Sequence, residues 1–162
     1  MGVPIERQVD EERLRLYFAG QTDVVAAYLY GSQATGQAQS GSDVDVAILL
    51  CDTEEPEATG ERRLQLTVEL EQACGRPVDV IVLNQAPPVL QHQALSRGKL
   101  LFERDRMARI RFEVRARQAY FDLKPMYDRH TRDLLDRIKK GGLGERRRRH
   151  RESSQTSGGM PG

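Results

Sequence analysis

Three short apolar runs constrain this chain more than any other feature. They are VVAAYLY at 24–30, DVDVAILL at 43–50 and VDVIVL at 78–83. Each has the length of a strand and falls far short of the ~20 apolar residues of a membrane span. A weaker run, KLLFE at 99–103, reads as a short last strand. Helical signals lie between them. Residues 6–19 carry Leu14, Leu16, Tyr17 and Phe18 among charges and stop at Gly20. Residues 52–59 are acidic and loop-like, and 61–74 carry Leu64, Leu66, Val68, Leu70 and Ala73 before Gly75. Pro87-Pro88 opens a helix to about Arg97, since proline is tolerated in a first turn. From Arg104 a long helix is expected, with Met107, Ile110, Val114 and Phe121 at spacings of three, four and seven. Pro125 should kink or interrupt it. The expected fold class is α/β (α+β): a small mixed central sheet flanked by helices, with a long C-terminal helix.

Composition sets the outer limits. The chain has 162 residues, with 25 Lys+Arg against 24 Asp+Glu. Such a length suits one domain with a sizeable core, and the balanced charge argues against global disorder. The charge is uneven, however. Residues 139–162 hold seven basic and two acidic groups, which leaves 18 basic and 22 acidic in the body. We therefore expect a domain over 1–141, with its core at 20–104 and a helix at 104–140. A disordered Arg-rich tail at 142–162 is expected to follow, as Gly, Ser and like charges cannot build a core. A solvated tail is the expected role, with contact to nucleic acid the alternative. The body's net charge of −4 offers no broad basic face for nucleic acid. The opening MGVPIERQVDEERLRL has no signal-peptide core, and Cys51 and Cys74 are too few for a disulfide scaffold. A cytoplasmic setting is expected, without membrane attachment. His92, His130 and His150 are too scattered for a zinc site.

Chemistry concentrates on three aspartates within the apolar runs. Asp43 and Asp45 are two apart, a spacing that puts both on one face of a strand. Asp79 sits near the start of another strand that could lie beside them. Converging carboxylates repel one another unless cations sit between them. Hard oxygen donors suit Mg²⁺ or Mn²⁺, and two such ions can hold the attacking and leaving oxygens of a phosphoryl displacement. Taken singly, each aspartate could be ordinary: Asp43 a turn cap after Ser42, Asp79 a strand-start residue after Pro77. The three together, in register with a phosphate-binding loop, are hard to explain that way.

Such a loop is present. Gly31-Ser32 follows the first apolar run, and Gly36 completes Gly-Ser-x-x-x-Gly. Glycine lets backbone come close to a phosphate, and free amides at a helix start attract anions. A Ser32 hydroxyl could add a donor. Ten residues separate Ser32 from Asp43, so the whole pattern is Gly-Ser-x10-Asp-x-Asp.

With YLYGSQATGQAQSGSDVDVAILL followed by VDVIVLN, residues 25–104 resemble the polymerase-beta-like nucleotidyltransferase superfamily in its minimal form. The continuation NQAPPVLQHQALSRGKLLFERD resembles the MntA-type antitoxins of HEPN/MNT (type VII) toxin–antitoxin pairs. The resemblance covers about residues 10–138. It implies a nucleotidyltransferase that transfers AMP from ATP to a tyrosine of a partner HEPN ribonuclease, with Mg²⁺, two ions being expected, in a hetero-oligomer with that toxin. Residue by residue, it implies nucleotide binding at Gly31 and Ser32, metal binding at Asp43 and Asp45, and a third carboxylate at Asp79. Asp79 is the one suited to activate the incoming hydroxyl. None of the five positions departs from the pattern.

Two other readings compete. A small-molecule nucleotidyltransferase, for example one acting on an aminoglycoside, usually carries an added acceptor domain for which this chain has no room. An antitoxin acting by binding alone would leave three strand aspartates as a cost without a use. A basic residue should steady the β- and γ-phosphates, and Arg62, Arg63, Arg97 and Lys99 are all open. Tyr28 and Tyr30 are expected in the core, His92 at the surface or as a cap, and both cysteines as small packing residues. The long helix packs on its own domain or docks a partner.

Overall fold

The computed structural model describes residues 8–31, 43–51 and 55–139. In chain order its elements are α1 (Glu11–Ala19), β1 (Val24–Tyr30), β2 (Val44–Leu50), α2 (Pro56–Cys74), β3 (Val78–Val82), a 3₁₀ turn (Leu83–Gln85), α3 (Pro88–Arg97), β4 (Lys99–Glu103) and α4 (Arg106–Lys139). The strands form one sheet in the order β3-β2-β1-β4. β1 runs antiparallel to both β2 and β4, whereas β2 and β3 are parallel. A parallel pair needs a crossover, and α2 supplies it. The small mixed sheet expected from the apolar runs is therefore present. The chain divides into two units at Tyr120/Phe121. The first holds the sheet, α1–α3 and the opening turns of α4. Phe121–Lys139, in the second, are helical.

The runs are almost continuously apolar because both faces of the sheet are covered. On one face, Val46, Ile48, Val80 and Leu29 pack with Leu14 and Phe18 of α1 and Leu66 and Leu70 of α2. Burying each such side chain contributes about 1.5–3 kcal/mol. On the other, Tyr28, Ala47 and Leu49 pack with Leu83 and Ala94, flanked by Ala108 and Phe112 of α4.

Several expected boundaries and faces shift. α1 begins at Glu11, not residue 6, because the Asp10 carboxylate accepts from the Arg13 N–H and caps the helix there. α2 begins at Pro56, so 56–59 are helical rather than loop; Pro56 is pre-set for a first turn. At its far end Gly75 takes a left-handed φ of 67° and donates to the Glu71 carbonyl. Only Leu66 and Leu70 of the α2 stripe are buried, while Leu64 and Val68 are exposed. On α4, Met107, Val114 and Phe121 are likewise exposed. Its inward residues are instead Ala108, Phe112 and the buried Ala116, while Ile110 of the expected stripe is half-buried. The Asp105 carboxylate caps the Ala108 N–H at 3.0 Å, and Arg109 is held between Glu103 and Glu113, which sets the helix rotation. The helix continues through Pro125 without interruption. Cys51 is exposed and Cys74 half-buried, so only the second can serve in packing. Residues 142–162 lie outside the described residues. Among the described residues, no helix is long and apolar enough to cross a membrane.

Candidate functional site

Strand register builds the site. Tyr30 on β1 is the cross-strand partner of Asp45 on β2, and Asp45 is the partner of Asp79 on β3. Partners in register point to the same face, with strands about 4.8 Å apart. One row across three strands thus carries a phenol and two carboxylates. It lies on the face of Tyr28, Ala47 and Leu49.

Asp43 is exposed and sits one residue before β2, outside the paired row, and its charge reaches Asp45. Asp79 is also exposed. The cost of burying charge therefore narrows to Asp45, which is half-buried. Burial raises the Asp45 carboxyl above its ordinary value, and the charges of Asp79 and Asp43 raise it further. The same field reaches the Tyr30 phenol. Burial first, then Asp45 and Asp79, push it up to about 12, against the opposing charge of Arg63.

Gly31 closes the row at the end of β1. Its φ is +69°, in the left-handed region, and a Cβ built there would collide with Asp45 Oδ2. Backbone and carboxylate share that space, so both conformation and packing require glycine. Ser32, expected to join Gly31 in binding phosphate, lies outside the described residues.

The four cationic candidates now separate. Arg62 is committed elsewhere: its Nε and Nη2 donate to the Asp23 carboxylate at 2.7 and 2.8 Å, and Nη2 also to Gln21 at 2.7 Å. Lys99 donates to Glu11 at 2.9 Å. Arg63 turns to the site. Its Nε donates to the Val80 carbonyl at 2.7 Å, and its Nη2 lies 3.9 Å from Asp79 Oδ1. Arg97 closes α3 as a basic residue in its last turn.

A cleft of about 290 Å³ adjoins Arg63. Thr59, Gly60 and Arg63 of α2 line it, with Ile81 and Val82 of β3 and Leu90 of α3. Sequence reading missed it, because its walls come from segments separated by some twenty residues. Other residues fall outside the chemistry. Tyr28 is buried and its hydroxyl donates to Glu113 at 2.6 Å, as suits the core. His92 is not a simple surface or capping residue: it stacks on Tyr120, with centroids 3.7 Å apart and 9° between planes.

Among the described residues, no three His, Cys, Asp or Glu side chains are drawn together as a ready-made ion cage. That arrangement still fits Mg²⁺, which typically takes one or two carboxylates and completes its shell with water and substrate phosphates. The donor set at Asp45 is hard oxygen, and burial first, then the charges of Asp79 and Asp43, make its carboxyl a weaker acid than usual.

Residues 12–107 match the polymerase beta nucleotidyltransferase family. The protein adenylyltransferase MntA of Shewanella oneidensis is 36% identical over 75 residues, which is 46% of this chain and 51% of that protein. The chain thus spans about half the length of the curated relative it matches. In a crystal structure of a toxin–antitoxin with AMP-PNP, one chain superposes with a TM-score of 0.66 at 26% identity, over 78% of this chain and 99% of that one. A chain of the toxin–antitoxin MntA-HepT crystal structure superposes with a TM-score of 0.59 at 25% identity, over 77% and 96%.

Proposed function

The chain belongs to the polymerase beta nucleotidyltransferase family, and from that premise we propose that it is a Mg²⁺-dependent protein adenylyltransferase antitoxin. It transfers AMP from ATP to a tyrosine of a partner HEPN ribonuclease toxin, in the cytoplasm and in complex with that toxin. The unit that does so is residues 1–141. The observation that carries this reading is the row Tyr30–Asp45–Asp79 with Gly31 wedged against Asp45. The names of the MntA relative and of the toxin–antitoxin structures support it.

The roles follow from position. Gly31, with Ser32, receives the triphosphate, because a glycine in the left-handed region lets backbone approach phosphate oxygens. Asp43 and Asp45 would hold Mg²⁺, with Asp79 for a second ion; the metal neutralises phosphate charge and lowers the pKa of a bound hydroxyl. Asp79, two strands from Gly31, faces the incoming tyrosine and accepts its proton. A phenol with a pKa near 10 needs such help at neutral pH. The phenolate oxygen forms a bond to the α-phosphorus while the bond to the bridging oxygen breaks, and pyrophosphate leaves. Arg63 balances the charge beside Asp79.

Intact-mass spectrometry of the HEPN partner, incubated with this protein, ATP and Mg²⁺, tests the reading. A gain in whole AMP units is expected, absent with Asp43→Asn. No gain despite a stable complex would mean neutralisation by binding alone. No gain and no complex would point to a small-molecule acceptor.

A further inference from the structure

The row of site residues has a direction. It runs from Gly31 at the end of β1, through Asp45 on β2, to Asp79 on β3, the last strand of the sheet. Just past Asp79 lie the Arg63 guanidinium and the cleft of about 290 Å³. Ile81, which lines the cleft, is two residues along β3 from Asp79 and so only about 6.6 Å away in Cα position. Phosphoryl transfer requires the nucleophile and the leaving group to be roughly in line through the phosphorus. With pyrophosphate held at Gly31 and the α-phosphorus over Asp45, the nucleophile enters from the Asp79 side. That is the side on which the cleft lies.

We infer that this cleft between α2, β3 and α3 is the acceptor pocket, and that it seats the ring of the tyrosine to be modified. The inference rests on the transfer reading above and deepens it. The cleft's size is near the lower end of small-molecule sites, which suits one aromatic ring better than a nucleoside. Its walls are mixed. Ile81, Val82 and Leu90 offer apolar contact for the ring, and Arg63 and Thr59 bring polar groups. A tyrosine needs that combination, since its ring is apolar and its hydroxyl polar. Arg63 joins the two halves, because one guanidinium lines the cleft and reaches Asp79. The seated phenol then loses its proton to the Asp79 carboxylate, its oxygen bonds to the α-phosphorus, and the departing oxygen leaves with pyrophosphate. The adenosine is attached to the α-phosphorus off this in-line axis.

Gly60 provides the test. It lines the cleft, and nothing lies within 4 Å of a Cβ built on it. It also sits inside α2, where replacing glycine favours the helix. Gly60→Phe therefore brings a ring to the cleft's lining from a position with open space at its Cβ, and Gln85→Trp, at an exposed lining position, is the second variant. Each is expected to cut AMP transfer to the HEPN partner at least tenfold, with AMP-PNP binding by calorimetry unchanged within twofold. Independently, ¹⁵N chemical shifts are followed as N-acetyl-tyrosinamide is added to the wild type with AMP-PNP and Mg²⁺. Saturable shifts at 81–90 that Gly60→Phe removes support the pocket, even if the HEPN partner proves not to be the acceptor. Absence of shifts there overturns it, as does full transfer in both variants. A tenfold loss of AMP-PNP affinity in Gly60→Phe also overturns it, by assigning the cleft to the base.

Discussion

Arg62 and Arg63 are adjacent in sequence and share one helix, yet they live in different electrostatic worlds. Arg62 is fully matched. Two of its nitrogens meet the Asp23 carboxylate and one also meets Gln21, which holds the Asp23 carboxyl below the usual range. Arg63 meets one backbone carbonyl closely and one carboxylate loosely, at 3.9 Å. Consecutive helical residues point about 100° apart, so one faces Asp23 and the other the sheet's acidic row. Charges that find complete partners hold the fold. Charges left short of partners are where a ligand completes the set.

The largest effect that sharpens this contrast is on transfer. Asp45→Asn is expected to lower the initial rate of AMP transfer at least a thousandfold, which corresponds to about 4 kcal/mol. Full activity would remove the acidic row from the chemistry. Next comes the matched side. Arg62→Ala should lower unfolding stability in urea by about 1–2 kcal/mol, since charged hydrogen bonds of a part-buried pair are lost. Its transfer rate at low temperature should be unchanged, and a rate loss would break the comparison. Arg63→Ala should do the reverse, with transfer down about tenfold and stability within about 0.5 kcal/mol. Arg63→Lys should not rescue it, since one ammonium cannot hold the Val80 carbonyl and lie beside Asp79 together.

The smallest effect is the most diagnostic. A raised Asp45 carboxyl means that the folded state binds its proton more tightly than the unfolded chain. Stability from that proton is present below the ordinary carboxyl value and is lost as pH rises through the raised one. At pH 7 the charged side chain therefore weakens the fold. Asp45→Asn should be slightly more stable than wild type at pH 7, solvent screening of the half-exposed carboxylate keeping the gain small, and the gain should vanish near pH 3. Urea titrations at the two pH values decide it. One substitution that strengthens the fold while ending transfer would be hard to reconcile with a structural aspartate.

Much of this was legible from residues alone. β1 and β4 fall where the apolar runs lie, and Asp45 and Asp79 meet because period-two alternation and a parallel crossover leave few other registers. What escaped was tertiary. No local signal distinguishes Arg62 from Arg63, since the choice depends on where Asp23 and β3 end up. The α4 face turned inward, Ala108, Phe112 and Ala116, differs from the apolar spacing because Arg109, paired with Glu103 and Glu113, also bears on the helix rotation. The start of α2 was hidden by an acidic stretch that resembles a loop. The cleft needs three segments folded before it exists.

Gly31 also bears on how such a protein can change over generations. Its missing side chain and the Asp45 carboxylate occupy one volume. Any mutation at 31 must therefore both strain the backbone and displace that carboxylate, and shortening Asp45 to make room removes the acid itself. No single neutral step leads away from the pair. Mutational libraries should find position 31 held most tightly when position 45 is under selection for transfer, and held by its backbone conformation alone when it is not. Where a descendant keeps the fold and abandons the chemistry, the two positions should drift together, with the acid lost first.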